Sequence, residues 1–258
     1  EIANQIDTSW ISSGKALVLY NTLSRPRKSV EKISLQFEKG EYPWVHLYHP
    51  KGEKQKLQLI KKETWEDGSI KKCDALFQTE IPGFGYQTYI IQAGDSNPID
   101  PIEVELSFYN FENDYYSIKI LGDGTISSLQ EKKSGVELIN PEKYYGNEIR
   151  GQLSDGNWIT NRSSNSSIRL VKGDLADILF TQSQIGPIIS QLKIYLYHDL
   201  PVIDFNLSLD FGNEGLILGD FWDDTTKLNL YWPISSNQYI WYDIPFGTRM
   251  GRPGRPLY

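Results

Sequence analysis

A single cysteine, Cys73, stands in 258 residues, so no internal disulfide can form and stability must come from a buried apolar core. Basic blocks are missing too, and the formal net charge is -7. The electrostatic footprint of a phosphate-backbone binder is therefore absent, and nucleic acid is not an expected partner. No stretch of about 18 apolar residues occurs, so no helical membrane span and no membrane partner are expected. Residues 1–14 lack the charged, apolar and small-residue order of a signal peptide, while Glu1 rather than Met at the start fits a beginning lost to processing, cloning or disorder. Together these leave the compartment open. Helical patterning is equally scarce: no window of a dozen residues keeps an apolar stripe at 3.6 spacing between a cap and a glycine. At most a helical turn or two is expected, near residues 141–145.

What the chain has in quantity is period-two alternation, cleanest where Ile203, Phe205, Leu207, Leu209 and Phe211 alternate with Asp204, Asn206, Ser208 and Asp210. That pattern describes a strand with one wet face. Similar runs pass through Ile33–Phe37, Tyr116–Ile120, Leu192–Leu196 and Leu228–Trp232. Turn chemistry separates them: Gly122, Asp123 and Gly124 form a hairpin signal, Ser134-Gly135 closes the next segment, and Pro82 to Gly85 precede a strand over Tyr86–Ile91. Many short strands at regular spacing, with no internal repeat of constant period, indicate an all-β chain built as sandwiches and exclude a propeller or solenoid. A polar, proline-containing stretch at Ala93–Pro101 divides it into residues 1–95 and 96–258. Gly151–Thr160, with the soft stretch Ser163–Ser167 after it, reads as a long surface loop.

Several of these segments carry a family resemblance. Leu17–Arg27 (LVLYNTLSRPR) is similar to the strand and turn that begin the post-catalytic region of glycoside hydrolase family 38 α-mannosidases, and Ile81–Tyr89 (IPGFGYQTY) resembles that family's Pro-x-x-Gly-Tyr-x-x-Tyr strand entry. Phe111–Tyr116 (FENDYY), followed by Gly124–Leu129 (GTISSL), Lys132, Gly135 and Glu137, resembles the motif pair that opens the family's large sandwich. Gln191–Tyr197, Pro201–Phe205 and Tyr242–Gly247 (YDIPFG) continue it in order, while Asn213–Trp232 departs from the family pattern. The resemblance implies a small β-sandwich in residues 1–95. It implies a galactose mutarotase-like β-supersandwich in 96–258, incomplete at its C-terminal end, with both packed against an N-terminal catalytic α/β barrel that is absent. In the family the barrel supplies the catalytic carboxylates and binds zinc, so no catalytic residue and no cofactor is expected within this chain. Its expected partners are that barrel and an α-mannoside carbohydrate.

Candidate contacts follow from residue chemistry. Aromatics are abundant, at 16 Tyr and 7 Trp; they either fill half-buried strand positions or stack on sugar rings. Trp222, Asp223 and Asp224, beside Asp220, offer an aromatic face and carboxylates to a sugar or a calcium ion, or else form a solvated turn. Trp241 and Tyr242 cluster with Tyr231 and Trp232 as interface packing or as a stacking platform. Arg249, Arg252 and Arg255 lie among Gly and Pro in a rigid basic tail that could grip sugar hydroxyls or serve as a connector. The substrate-binding candidates are therefore Trp222, Asp223, Asp224, Trp241, Tyr242 and Arg249. His46 and His49 have metal-like spacing, but in a strand residues three apart face opposite sides, so no metal site is expected. His198 is expected to be structural. Two alternatives stay open: a stand-alone carbohydrate-binding module, and a mutarotase-type epimerase resting on fold analogy.

Overall fold

The structure, a computed structural model, describes residues 5–94, 102–104, 110–153, 156–212, 228–235, 240–244 and 247–251, the last two segments by their backbone alone. The chain is all-β. Its first strands are β1 (Lys15–Asn21), β2 (Arg27–Gln36), β3 (Val45–Tyr48), β4 (Leu57–Thr64), β5 (Ile70–Ile81), β6 (Gly85–Ala93) and β7 (Ile102–Val104). Next come β8 (Asn110–Glu112), β9 (Tyr116–Ile120), β10 (Ile126–Glu131), β11 (Val136–Glu137), β12 (Glu148–Gln152), β13 (Trp158–Thr160) and β14 (Ser167–Lys172). The rest are β15 (Ala176–Ile185), β16 (Ile188–Tyr197), β17 (Ile203–Asp210), β18 (Leu228–Tyr231), β19 (Ile240–Ile244) and β20 (Gly247–Gly251). They form sheets ordered β1-β6-β3, β2-β5-β4, β11-β10-β9-β8, β13-β12-β18, β17-β16-β15-β14-β7 and β19-β20, and among the described residues none of these closes into a barrel.

The chain divides into two compact units. The first comprises Glu1–Glu105, Arg169–Phe180 and Lys193–Asn206; the second comprises Leu106–Ile168, Thr181–Leu192 and Leu207–Tyr258. In the first unit β5 explains the packing. Its alternate residues Cys73, Ala75 and Phe77 are buried in a core shared with Leu47, Leu59, Tyr89 and Ile91, which sets sheet β2-β5-β4 against sheet β1-β6-β3. Leu76 points the other way and joins Ile178, Tyr195 and Tyr197, with Val30 and Ile60 packed alongside. The middle sheet is therefore covered on both faces at Leu76, with Asp74 and Gln78 half-buried beside it and Glu80 exposed near the strand end.

The second unit gathers Ile149, Ile185 and Ile188 with Ile159, Leu207, Leu209, Phe211 and Leu228. The expected hairpin turn forms between β9 and β10, where Gly124 takes φ 79° and the Asp123 carboxylate accepts from the Thr125 N–H at 3.0 Å. Two sequence expectations need correction. Gly151–Thr160 is not one long loop: β12 and β13 pair as a hairpin, Gly151 opposite Ile159 and Gln152 opposite Trp158. Turn-forming residues dominate the stretch by composition, yet Gly151 sits within β12, and the Leu153 N–H closes on the Asn157 carbonyl at 2.8 Å. The helical turn also falls elsewhere, at Asn161–Ser163, where the Thr160 side chain caps it by accepting from the Arg162 N–H. Among the described residues no helix is long and apolar enough to cross a membrane.

Candidate functional site

A cleft of about 530 Å³ opens in the first unit, between β2 of the middle sheet and β16 and β17 of the five-stranded sheet. Its floor is Leu76, Tyr195 and Tyr197; Arg27, Glu31 and Lys32 form one wall, and Asp204, Phe205 and Asn206 the other. Strand alternation accounts for the placement. Tyr195 and Tyr197 share the face of β16 that packs on the middle sheet, and Asp204 and Asn206 share one face of β17.

The two tyrosines differ in their hydroxyls although their rings lie nearly parallel, 18° apart at 6.4 Å between centroids. Tyr197 donates to Asp204 Oδ2 at 2.6 Å. Burial first, and this hydrogen bond second, push the Tyr197 phenol well above its ordinary range. Tyr195 is only 4% exposed, and its buried hydroxyl has no hydrogen-bond partner among the described residues. An unmade hydrogen bond on a buried hydroxyl costs about 1–3 kcal/mol. On the opposite wall Glu31 accepts from the Ser29 hydroxyl at 2.6 Å and pairs with Arg27 at 3.4 Å. Further along the face of β16, Lys193 lies 5.6 Å from the centre of the Phe180 ring. Burial, and then the charge of Lys32, hold its ammonium below the ordinary lysine range.

Few of the residues singled out in the sequence have described side chains. Trp222, Asp223 and Asp224 lie outside the described residues, as do Asp220, Arg252 and Arg255. Trp241, Tyr242 and Arg249 are described by backbone alone: β19 and β20 pair antiparallel, with Tyr242 opposite Arg249. Tyr231 is packed in the second unit, its ring stacked on Tyr144 at 3.9 Å, with the Arg150 guanidinium 5.3 Å from the Tyr144 centroid. Beside it the buried Glu148 carboxylate is occupied, accepting from Arg150 Nε at 2.6 Å and from the Tyr145 N–H at 2.9 Å.

The histidines do not converge. His46 lies buried in β3, whereas His49, one residue past the strand end, is 3.2 Å from the Gln87 side-chain amide. His198 has a partner that sequence spacing did not reveal, since its Nε2 lies 3.2 Å from the Asp177 carboxylate. Among the described residues no three His, Cys, Asp or Glu side chains gather as metal ligands. A second, shallower groove of about 400 Å³ lies by His49, Lys28, Glu53, Lys54 and Glu80, where charges of both signs face solvent.

Sequence reasoning missed Tyr195. Read by alternation, Leu192, Ile194 and Leu196 were the buried set of β16, which left Lys193, Tyr195 and Tyr197 to the other face. That face is covered by the middle sheet, contributed by residues more than a hundred positions earlier. The available signal was the change on that face from Gln191 and Lys193 to Tyr195 and Tyr197. No protein-family model matches this chain, and no curated protein matches it.

Proposed function

We propose that this chain is the non-catalytic β-region of a retaining α-mannosidase-like glycoside hydrolase, scaffolding an N-terminal catalytic barrel and lining part of its sugar site. The observation that carries the reading is Asn21. This buried side chain donates from Nδ2 to the carbonyls of Arg25, Ile81 and Pro82 at 2.8, 3.2 and 3.1 Å, and its Oδ1 accepts from the Leu23 N–H at 3.0 Å. One amide thus joins the two family-like motifs, Leu17–Arg27 and Ile81–Tyr89, which lie about 60 positions apart. The FENDYY segment has the same character. Asn113 Oδ1 accepts from the Tyr115 and Tyr116 N–H groups, and the Lys132 ammonium donates to the Asn113 carbonyl at 2.9 Å. Glu137 accepts from the Ser128 hydroxyl and the Leu129 N–H within the next motif.

The motif residues hold strands and turns in place rather than presenting reactive groups, as a supporting region requires. In the larger protein, retention of configuration would fall to two barrel carboxylates about 5–5.5 Å apart. Zinc would be held there too, as the family resemblance implies. The mutarotase-like supersandwich of residues 96–258 belongs to the same proposal.

The test is enzymatic. The isolated chain should not hydrolyse 4-nitrophenyl α-mannoside, and the full natural polypeptide should. Turnover by the isolated, contaminant-free chain, or a natural polypeptide with no barrel, would reject the proposal.

A further inference from the structure

An open sheet ends in strands whose outer N–H and C=O groups lack a neighbouring strand, and such edges pair with other chains unless charge, proline, a bulge or shortness blunts them. Among the described residues, the edge strands longer than five residues are β1, β2, β4 and β17. Charge blunts three of them. β2 carries Arg27, Lys28, Glu31 and Lys32, β4 carries Lys61, Lys62 and Glu63, and β17 carries Asp204 and Asp210. β1 has none of these devices. Its one charged residue, Lys15, stands at its start, no proline interrupts KALVLYN, and it pairs with β6 without a bulge from Lys15 opposite Ile91 to Asn21 opposite Gly85. Both of its faces are apolar. Leu17 and Leu19 pack against the core of the first unit yet stay half-buried. On the other face Ala16, Val18 and Tyr20 lie opposite Ile90, Thr88 and Tyr86, with no charge among them, and Tyr20 and Tyr86 are 44% and 50% exposed. An antiparallel sheet that ends in water on that side carries polar residues there instead.

The strand is complementary to itself. Turned about a two-fold axis through Val18, a second β1 sets Val18 beside its own counterpart, Leu17 beside Leu19, Ala16 beside Tyr20 and Lys15 beside Asn21. Such pairing keeps odd residues with odd and even with even. Leucines therefore meet leucines on the core side, and on the other face the small Ala16 of one copy leaves room for the Tyr20 ring of the other. Like charges never face each other, because Lys15 lies opposite Asn21. We propose that β1 is the dimerisation edge of this protein, pairing antiparallel with β1 of a second copy so that two three-stranded sheets join in the order β3-β6-β1-β1-β6-β3. The contact uses up both β1 edges, so assembly through it stops at the dimer. It goes beyond the α-mannosidase reading and does not rest on it, because every group named lies within the first unit.

Sedimentation of the whole chain over a concentration series tests it. The parent should show a monomer–dimer equilibrium that goes no further. Val18→Lys sets two ammonium groups against each other at the axis and should raise the dimer Kd about tenfold or more. Val18→Glu should do the same, and an equimolar mixture of the two should recover dimer, since lysine then meets glutamate. Misfolding cannot imitate that recovery. Tyr20→Asp, at an exposed position, should weaken the dimer without touching the core, and so covers the case in which the Val18 variants fold poorly. Val136→Lys, at an exposed position of the short edge strand β11, should leave it unchanged. A parent that stays monomeric up to about 1 mM chain leaves the β1 edge to another segment of the natural polypeptide and overturns the proposal. So does assembly past the dimer, full-strength dimerisation by both Val18→Lys and Tyr20→Asp, or failure of folded Val18→Lys and Val18→Glu to pair with each other. Mannoside turnover by the natural polypeptide is scored separately, so the two readings can fail independently.

Discussion

Two tyrosines two positions apart on one strand should respond in opposite ways to loss of the same oxygen. Tyr195 buries a hydroxyl that bonds nothing among the described residues, so Tyr195→Phe removes an uncompensated desolvation cost and should stabilise the chain by about 1 kcal/mol. Tyr197→Phe removes a donor from the Asp204 carboxylate, which water can partly replace at that half-open position, and should cost about 1 kcal/mol. Urea midpoints of the two variants measured side by side settle the sign; destabilisation by both would mean that the Tyr195 hydroxyl has a partner after all. Asn21 offers a harsher case. Its carboxamide donates to three carbonyls and accepts one N–H, so Asn21→Asp, which keeps size and acceptor but loses the donors, should destabilise by about 3 kcal/mol. If Asn21→Asp unfolds at the same urea concentration as the parent, the link between the two motifs is not a structural one.

At the scale of elements, alternation placed strands well and faces less well. β17 reads from its sequence as it is built, half-buried at odd positions and exposed at even ones. Period two reports that a residue faces sideways from a strand, but not whether a second sheet lies there. At Leu76 of β5 and at the end of β16 one does, and residues of both faces are buried there. Gln58 illustrates the part that no local pattern can supply. From the interior of β4 it accepts the Leu175 and Ala176 N–H groups at 2.8 and 2.9 Å and donates to the Ala176 carbonyl at 2.9 Å, behaving as a short piece of strand across about 117 positions of sequence. Gly173 makes room for it, since a Cβ there would lie 2.2 Å from the Gln58 amide carbon. Gly173→Ala should therefore cost about 2 kcal/mol, and Gln58→Ala should cost as much by orphaning three backbone groups. The double variant should be less destabilised than the sum of the two, because removing Gln58 removes the clash. Strict additivity in a double-mutant cycle would contradict the contact. The candidate sugar contacts near the chain end were legible only as residue types, whereas the cleft is made by β2, β5, β16 and β17, and its orphaned hydroxyl has no signature in sequence.

With one cysteine and no disulfide, the folded state as a whole depends on its cores, and that same cysteine gives a probe of them. Cys73 is 1% exposed in the core between sheets β1-β6-β3 and β2-β5-β4. Burial pushes its thiol from an ordinary 9.0 up to about 11, with the nearby Asp74 charge adding to the shift. The folded protein therefore keeps a proton that the unfolded chain gives up from about pH 9. Stability is unaffected below that pH and falls as pH rises between about 9 and 11, by roughly 1.4 kcal/mol per unit across that window. Cys73→Ala should flatten this part of the stability curve, whatever its own cost in lost packing, and urea titrations of parent and variant from pH 8 to pH 11 measure the difference. The same burial keeps the thiolate from reagents at neutral pH, so labelling by a disulfide reagent should track urea unfolding of the first unit. Rapid stoichiometric labelling in native buffer would mean that the two sheets part far below the global unfolding free energy, and a core that open could not hold the β2 wall of the cleft in place.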